Sequence, residues 1–332
     1  MSIFNKDHTI YISGSNGMVG SSICRLLVKN GYSNSNIKKK ILTPSRKELD
    51  LRNDHKLESY FNKEKPDIVI IAAAKVGGIM ANKLKPVDFL LDNLKIQNNL
   101  IQKSFQFGVK RLLFLGSSCI YPRLSRQPIK EEYLLTDCLE STNEYYAIAK
   151  IAGLKLCEAY RKQYNFDTIT LMPTNLYGPM DNYDPNTSHV MPALIKKIYE
   201  AKKYKKKEIS CWGTGKPLRE FLYVDDLAEA CLFVLKNWFP DKNNAPLNYD
   251  GNPLNWLNVG SQYEISIFDL SRKISKIIGY EGVIHWNSNI PDGTPRKKLD
   301  TNYINRLGWN AKTDLEKGIK KTIENFKLEY NI

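Results

Sequence analysis

Gly14-Ser15-Asn16-Gly17-Met18-Val19-Gly20 is the stretch of sequence that decides the fold. It follows a short β-prone run, Thr9 to Ser13, and precedes a segment from Ser21 to Lys29 that has the character of a helix. Glycines at this spacing allow a tight turn and a close approach of the backbone to a diphosphate, whose charge the helix N-terminus attracts. The stretch therefore predicts the first strand, turn and helix of a dinucleotide-binding sheet.

Beyond this unit, β-prone and helical segments alternate along the chain. Strands are predicted at Lys40–Thr43, Asp67–Ala72, Arg111–Leu115 and Thr168–Met172, and helices at Pro86–Phe107 and after Glu144. Such alternation predicts a parallel sheet covered by helices on both faces. We expect an α/β protein of the Rossmann type, with a doubly wound parallel sheet.

The composition changes after Pro173, where loops and shorter elements replace the regular alternation. In this part Asp225 is expected to cap a helix from Asp226 to Lys236. We predict a smaller C-terminal α/β substrate lobe. Our boundaries are 1–174 for a dinucleotide-binding Rossmann domain and 175–332 for the substrate-binding lobe, with the chain crossing back between them.

Composition limits the classes of function. The chain has 332 residues, 25% of them charged, and a net charge of +14. The lysines are scattered and no nucleic-acid-binding motif accompanies them, so we expect no nucleic-acid partner, although the positive field suits an anionic substrate.

Compartment and metal content are also limited by the sequence. Six cysteines without a Cys-x-x-Cys pair and only four histidines predict no metal site. Without a signal peptide or an apolar run of membrane-spanning length, we expect a cytoplasmic protein with reduced thiols and no membrane partner.

Tyr146 and Lys150 are four residues apart in Glu144–Lys150 and would share one face of a helix. An ammonium beside a phenol stabilises the phenolate and brings the hydroxyl toward useful acid–base chemistry. Tyr145 points to a different face, so Tyr146 is the candidate. The alternative is a packed ring beside a solvated ammonium, which is the commoner meaning of this spacing.

Two further segments follow predicted strands, where ligands bind in such sheets. Ser117 and Cys119 come after Leu115, and in an extended segment they would face the same side. Ala73 begins a loop of small residues that would let a cofactor lie close to the sheet.

The end of the second strand carries the cofactor prediction. An NAD site usually has an acidic residue there, but this chain has Arg46, which suits a 2′-phosphate. We therefore predict NADP, with Asp50 and Leu51 near the adenine. The alternative is that Arg46 is an ordinary surface residue.

Taken in this order, the motifs resemble those of the extended short-chain dehydrogenase/reductases, and among them the GDP-L-fucose synthases. The resemblance extends from about Ile10 to Trp309. Its most distinctive segments are Ala73–Ile79, Leu115–Pro122, Tyr146–Lys150, Met172–Pro179, Ser188–Val190 and Asp292–Lys297.

The resemblance implies an epimerase/reductase that converts GDP-4-keto-6-deoxy-D-mannose to GDP-L-fucose. Ser117 would bind the oxygen on carbon 4 of the sugar, Tyr146 would donate its proton, and Lys150 would hold the ribose. Cys119 and His189 would be the acid–base pair that inverts carbons 3 and 5 before NADPH reduces carbon 4. This is chemically coherent because a proton beside a ketone is acidic when the enolate oxygen is stabilised.

The resemblance also implies the binding residues and the assembly. Besides the glycine stretch and Arg46, the implied cofactor contacts are Asp50, Leu51, Ala73, Lys150, Pro173, Asn175, Leu176 and His189. The implied substrate contacts are Lys197, Trp212, Arg219 and Lys297. A homodimer would form through the helices at Pro86–Phe107 and Glu144–Tyr164.

The chain departs from the family pattern at three positions. Asn16 and Lys197 stand where an arginine is usual, and Tyr145 stands where proline precedes the catalytic tyrosine. Two other hypotheses remain open. One is another sugar-nucleotide epimerase, dehydratase or reductase of the same fold, and the other is a non-catalytic dinucleotide-sensing or scaffold protein.

Overall fold

The structure is a computed structural model that describes residues 4–32, 41–242, 245–290 and 292–331. The strands are β1 (Ile10–Ser13), β2 (Ile41–Leu42), β3 (Ile68–Ile71), β4 (Arg111–Leu115), β5 (Thr168–Pro173), β6 (Asn175–Tyr177), β7 (Glu208–Trp212), β8 (Leu218–Tyr223), β9 (Trp256–Val259), β10 (Glu264–Ser266), β11 (Val283–Asn287) and β12 (Arg296–Lys297). The helices are α1 (Met18–Lys29), α2 (Asp54–Glu64), α3 (Ile79–Leu84), α4 (Pro86–Gln106), α5 (Glu144–Tyr164), α6 (Val190–Lys203), α7 (Val224–Asn237), α8 (Ile267–Ile278), α9 (Asn302–Arg306) and α10 (Leu315–Glu329). Lys40, predicted to begin the second strand, lies outside the described residues.

The larger sheet has six parallel strands in the order β2-β1-β3-β4-β5-β9. The chain passes from β1 to β2 on one side and then to β3 on the other, so the strand order reverses between β1 and β3. Ligands bind at the carboxyl ends of strands beside such a reversal. Gly14 follows β1 at this edge, and the prediction of a Rossmann-type doubly wound sheet is confirmed.

Apolar layers on both faces of this sheet explain its sequence. Ile10 and Ile12 of β1 pack with residues of α1 and α7, whereas Tyr11 between them packs with Leu57 and Phe61 on the opposite face. All side chains of β1, β3, β4 and β5 are buried. Burying one aliphatic side chain fully contributes about 1.5–3 kcal/mol. A strand buried on both faces needs an almost continuous apolar sequence, and β3 has one.

The chain returns to the larger sheet after leaving it. β9 pairs with β5, and α7 packs against α1. Arg111 of β4 is fully buried, and its guanidinium donates hydrogen bonds to the carbonyl oxygens of Leu235 (2.8 Å) and Trp238 (2.6 Å) at the end of α7. These contacts fasten a late helix to an early strand.

The smaller lobe is built around β8. This strand pairs with β10 in antiparallel fashion and with β6 and β12 in parallel fashion, while β7 and β11 form a separate parallel pair. Helices α6, α8 and α10 supply an apolar core that includes Ile195, Ile274 and Ile323. The smaller α/β lobe predicted after Pro173 is therefore present, and the boundary at residue 174 stays a prediction.

Two local predictions differ from the structure. Helix α1 begins at Met18 rather than Ser21. Helix α7 begins at Val224 with Tyr223 as its N-cap, so the prediction that Asp225 caps it is wrong. Asp225 instead accepts hydrogen bonds from Ser22 (2.5 Å) and Arg25 (3.1 Å) of α1, and these tertiary contacts occupy the carboxylate. Within the described ranges, no helix is both long and apolar enough to span a bilayer.

Candidate active site

A cleft with a volume of about 1830 Å³ lies between the carboxyl edge of the larger sheet and the smaller lobe. Ligand pockets usually measure about 300–1,000 Å³, so this cleft has room for a dinucleotide and a second ligand. The structure brings nearly all the predicted site residues together along its walls. Gly20 and Lys150 are the exceptions, and both are buried.

The glycine turn forms one end of the cleft. Gly14 has φ +73°, and a Cβ atom there would lie 2.8 Å from the Cα of Ala73. A Cβ atom at Gly20 would lie 2.2 Å from the carbonyl oxygen of Gly14. Only glycine fits these two positions. The N-cap of α1 is Gly17, which has no side chain to bond the helix N-terminus, so the amides there are open to an anion. The turn fits the diphosphate of a dinucleotide.

Arg46 is exposed at the same end of the cleft. The nearby Asp50 carboxylate accepts hydrogen bonds from Arg52 (3.0 and 2.7 Å), and these hold the pKa of Asp50 at about 2. Arg52 also pairs with Asp92 at 3.2 Å. The charges of Arg52 and Asp50 are thus paired with each other, whereas Arg46 forms no ion pair with any residue that the structure describes. Its guanidinium is available to a phosphate.

Small residues and loop backbone line the middle of the cleft. The backbone amide of Ala73 donates to the Ser13 hydroxyl at 3.3 Å, which keeps the loop after β3 close to the sheet. Across the cleft lie Pro173, Asn175 and Leu176, at the end of β5 and in β6. The other predicted cofactor contacts that line the cleft are Ser15, Asn16, Met18, Val19 and Leu51.

Ser117 and Cys119 follow β4. Residues Ser118–Ile120 form one turn of 3₁₀ helix, so the extended segment expected here is wrong. The backbone amide of Cys119 donates to the hydroxyl oxygen of Ser117 at 3.2 Å. This bond closes the turn, and both side chains face the cleft.

Tyr146 and Lys150 lie one turn apart on α5. The ammonium of Lys150 donates to the carbonyl oxygen of Leu115 at 2.7 Å and lies 6.0 Å from the centroid of the Tyr146 ring. Burial lowers the pKa of Lys150 to about 8. Burial raises the pKa of Tyr146, and a hydrogen bond from Ser117 opposes that rise. The pKa of Tyr146 is thus raised, not lowered as the neighbouring Lys150 led us to expect, and Tyr146 is protonated at neutral pH, as a proton donor must be.

Two donors from different parts of the chain converge on the sulfur of Cys119. The amide Nδ2 of Asn143 lies 3.3 Å from this sulfur, and the ammonium of Lys297 lies 3.6 Å from it. Asn143 precedes α5 and Lys297 is on β12, so both lobes contribute to the surroundings of the thiol.

His189 precedes α6 and is open to the cleft. Desolvation by the cleft walls, together with the positive charge of Lys297, lowers the pKa of His189. The imidazole is therefore held mainly neutral near pH 7, and its protonated form is a stronger acid than a histidine side chain surrounded by water.

Cationic and aromatic side chains line the part of the cleft in the smaller lobe. Arg219 is on β8, where burial lowers its pKa and the negative charges of Asp292 and Glu140 oppose that effect. Lys197 of α6 donates to the carbonyl oxygen of Ser210 at 2.7 Å. Trp212 is 54% exposed at the end of β7, so its indole face can stack on a base. This combination suits a nucleoside diphosphate.

A model of the NAD dependent epimerase/dehydratase family matches residues 10–248. This match spans the glycine turn, both proposed catalytic segments and the return of α7 to the larger sheet. The chain belongs to the NAD dependent epimerase/dehydratase family.

Several members of this family resemble the chain over nearly its whole length. GDP-L-fucose synthase 1 of Arabidopsis thaliana is 48% identical over 323 residues, which are 97% of this chain and 94% of that protein. GDP-L-fucose synthase of Escherichia coli K12 is 44% identical over 321 residues, 96% of each. A GDP-L-fucose synthetase from Naegleria fowleri, bound to NADP, superposes with a TM-score of 0.85 at 28% identity and covers 99% of this chain and 95% of that one. The resemblance predicted from the motifs is confirmed.

Sequence reasoning missed two residues of this family member's site. Asn143 contacts the sulfur of Cys119, and Glu140 anchors the loop before it. Both residues stand just before the Tyr146 motif, and this closeness in sequence was the only indication that they belong to the site. Glu140 is buried, and its carboxylate contacts Arg123 (3.1 Å) and Thr294 (3.4 Å), the second of which is far away in sequence.

Proposed function

We propose that this protein converts GDP-4-keto-6-deoxy-D-mannose to GDP-L-fucose, as an NADPH-dependent 3,5-epimerase and 4-reductase. The observation that carries the proposal is that Cys119 and His189 line the same cleft as Ser117 and Tyr146. The names of its relatives support the same substrate and product. An enzyme that only reduced the ketone would need Ser117 and Tyr146 but neither Cys119 nor His189.

In the reduction, Ser117 and Tyr146 act on the oxygen at carbon 4. Bound NADPH supplies the hydride, and the glycine turn and Arg46 hold its diphosphate and 2′-phosphate. Tyr146 then donates its proton to the oxygen as negative charge develops there. The charge of Lys150, held behind the ring by Leu115, stabilises the phenolate that remains.

In the epimerisation, Cys119 and His189 act on the carbons beside the ketone. Cys119 as thiolate removes a proton from carbon 3 or 5, and the bond electrons move to the carbonyl oxygen. Hydrogen bonds from Ser117 and Tyr146 stabilise the resulting enolate. His189, in its protonated form, delivers a proton to the opposite face, and the centre is inverted.

The substrate is held in the smaller lobe. Arg219 and Lys197 are placed to bind the diphosphate, and Trp212 offers a face for the base. Lys197 replaces the usual arginine, so it contributes a point charge rather than a two-pronged contact. Lys297 lies close enough to Cys119 to meet the sugar.

Incubation with GDP-4-keto-6-deoxy-D-mannose and NADPH in heavy water tests this function. The expected product is GDP-L-fucose with solvent deuterium at carbons 3 and 5 and one NADPH consumed per molecule. Reduction without deuterium incorporation would show that the protein is a simple reductase. Exchange without NADPH consumption would leave an epimerase.

We also propose a cytoplasmic homodimer. Helices α4 and α5 pack side by side and expose Leu91 (45%) and Ile148 (40%), which a second copy would cover. Light scattering should give twice the mass of the chain, 38.2 kDa, and Leu91→Glu should give the monomer. The six cysteines are free, which fits a reducing compartment. Recovery of the protein in the membrane fraction after cell lysis would contradict this location.

A further inference from the structure

Asn143 is the N-cap residue of α5, but its side chain does not cap the helix. Asparagine is among the preferred residues at this position because its side-chain oxygen accepts from a free amide in the first turn. In this structure Asn53 does so at the start of α2, where it accepts from the amide of Lys56 at 3.0 Å. Asn143 has φ −138° and ψ 19° and makes no such bond. Its side-chain amide contacts Cys119 instead.

The amide group of Asn143 points at the proposed base. Its Nδ2 atom lies 3.3 Å from the sulfur of Cys119. Its Oδ1 atom is buried and has no hydrogen-bond partner among the described residues. Buried acceptors without a partner are rare in folded proteins, and Asn143 lines the cleft. This oxygen has no accessible surface, so a ligand in the cleft reaches it only after a small shift of the side chain or of its neighbours.

Glu140 holds this arrangement in place. The backbone amide of Asn143 donates to the carbonyl oxygen of Glu140 at 3.1 Å. The Glu140 carboxylate in turn accepts from Arg123 (3.1 Å) and from Thr294 (3.4 Å). Thr294 lies three residues before Lys297, the second donor to Cys119. Glu140 thus contacts both segments that approach the sulfur, one through its backbone carbonyl group and the other through its carboxylate.

We propose that Asn143 is a positioning residue with two contacts. Its Nδ2 group holds the Cys119 thiolate toward the sugar, and its Oδ1 atom accepts a hydrogen bond from a sugar hydroxyl. A thiolate accepts hydrogen bonds and donates none, so an N–H group stabilises it and a carboxylate in the same place does not. The sugar contact rests on the proposed function, whereas the contact with Cys119 does not.

Asn143→Asp and Asn143→Ala separate the two contacts. Aspartate keeps the shape and an acceptor oxygen but loses the N–H donor, and alanine loses both. The first measurement is the rate at which iodoacetamide alkylates Cys119 at pH 7, read by peptide mass spectrometry relative to the exposed Cys138 of the same molecule. The second is the KM for the GDP-ketosugar. Asn53→Ala is the matched control, because it removes an N-cap contact that exists.

Both Asn143 variants should lower the relative alkylation rate of Cys119 about tenfold, the loss of one hydrogen bond to a charged group. Asn143→Ala should also raise KM about tenfold, and Asn143→Asp should raise it less. Asn53→Ala should lower the melting temperature and leave the alkylation ratio unchanged.

Alkylation of Cys119 at the wild-type rate in Asn143→Asp would overturn the thiolate contact, whatever reaction the enzyme catalyses. Equal KM values for Asn143→Ala and the wild type would overturn the sugar contact. If both Asn143 variants lower the alkylation rate while the wild type incorporates no deuterium from heavy water, the thiolate contact stands and the proposed epimerisation fails.

Discussion

The ammonium of Lys297 lies 3.6 Å from the sulfur of Cys119, although 178 positions separate the two residues in the chain. Lys297 belongs to β12 of the smaller lobe, and Cys119 follows β4 of the larger sheet. Burial lowers the pKa of His189, and the charge of the same ammonium lowers it further. The charge of Lys297 therefore acts on both members of the proposed acid–base pair. The environment of Cys119 and His189 is complete only when the two lobes come together.

Cys119→Ser should nearly abolish deuterium incorporation at carbons 3 and 5, because a hydroxyl is a much poorer base than a thiolate at neutral pH. His189→Asn should keep the first exchange and slow the return of the proton, so partly epimerised products should accumulate. Cys138→Ser, at an exposed cysteine, is the control. Fully inverted, deuterated product at wild-type rates from both site variants would refute the two-base assignment.

Tyr146→Phe should lower the rate of hydride transfer by about 10²–10⁴-fold, because it removes the proton donor. NADPH binding should survive, since the ring and its contact with Phe89 remain. The measurement is single-turnover oxidation of NADPH by stopped-flow absorbance. Tyr145→Phe removes the neighbouring hydroxyl and should react at close to the wild-type rate. The reverse ranking of the two variants would make Tyr145 the donor.

Arg46→Ala should weaken NADPH binding by about tenfold and leave NADH binding almost unchanged, because only NADPH carries the 2′-phosphate. Fluorescence titration gives both dissociation constants. Lys47→Ala removes an adjacent exposed charge outside the cleft, and it controls for the general field of the protein. An unmodified protein that binds the two cofactors equally well would refute the selectivity.

The pH dependence of reduction should reflect Lys150, whose pKa of about 8 lies below its ordinary value. The ammonium is present below that pH and is lost above it, so kcat/KM should fall as the pH rises through about 8. Lys150→Arg keeps the positive charge and should move this fall to higher pH, even if the rate is lower. An identical alkaline limb in Lys150→Arg would assign it to another group.

Stability should fall as the pH rises, and Glu131 is one cause. This carboxyl group is 1% exposed, and burial raises its pKa to about 8. The folded protein therefore keeps a proton that the unfolded chain releases, and the stabilisation is lost as the pH rises through about 8. Glu131→Gln keeps an acceptor for the amide of Asn258, and it should remove on the order of 2 kcal/mol of the change between pH 6 and 8. Denaturant titrations at both pH values measure this. Equal pH dependence in the two proteins would contradict the assignment.

Local sequence was sufficient where the structure depends on neighbours in the chain. The glycine turn is one example, because the crowding at Gly20 comes from Gly14 and Ser15 of the same turn, although Gly14 itself is crowded by the distant Ala73. Tyr146 and Lys150 are another, because helical spacing alone sets them one turn apart. Strands β1, β3, β4 and β5 were predicted because burial on both faces requires apolar residues throughout, whereas β9 of the same sheet was not predicted.

Other features depend on contacts that one sequence does not reveal. Asp225 follows the rule for a helix cap, but Ser22 and Arg25 of a distant helix compete for its carboxylate. The six-residue helix α3, which was not predicted, is fixed by Asn82, whose side chain donates to the carbonyl oxygens of Gly77 and Gly78. From the sequence alone, Asn143 is indistinguishable from an ordinary helix-capping asparagine, because its contact with Cys119 is visible only in the folded structure.

The return of β9 and α7 to the larger sheet has a consequence for synthesis and engineering. A ribosome that has reached residue 174 has made five of the six strands, but β5 is still an unpaired edge, and unpaired edges invite aggregation. The buried Arg111 has not yet met the carbonyl groups of Leu235 and Trp238. The nucleotide-binding half can therefore be completed only after most of the smaller lobe has been translated. A chimera of two relatives joined at residue 174 should be insoluble unless it takes α7 and β9 from the same parent as the first five strands.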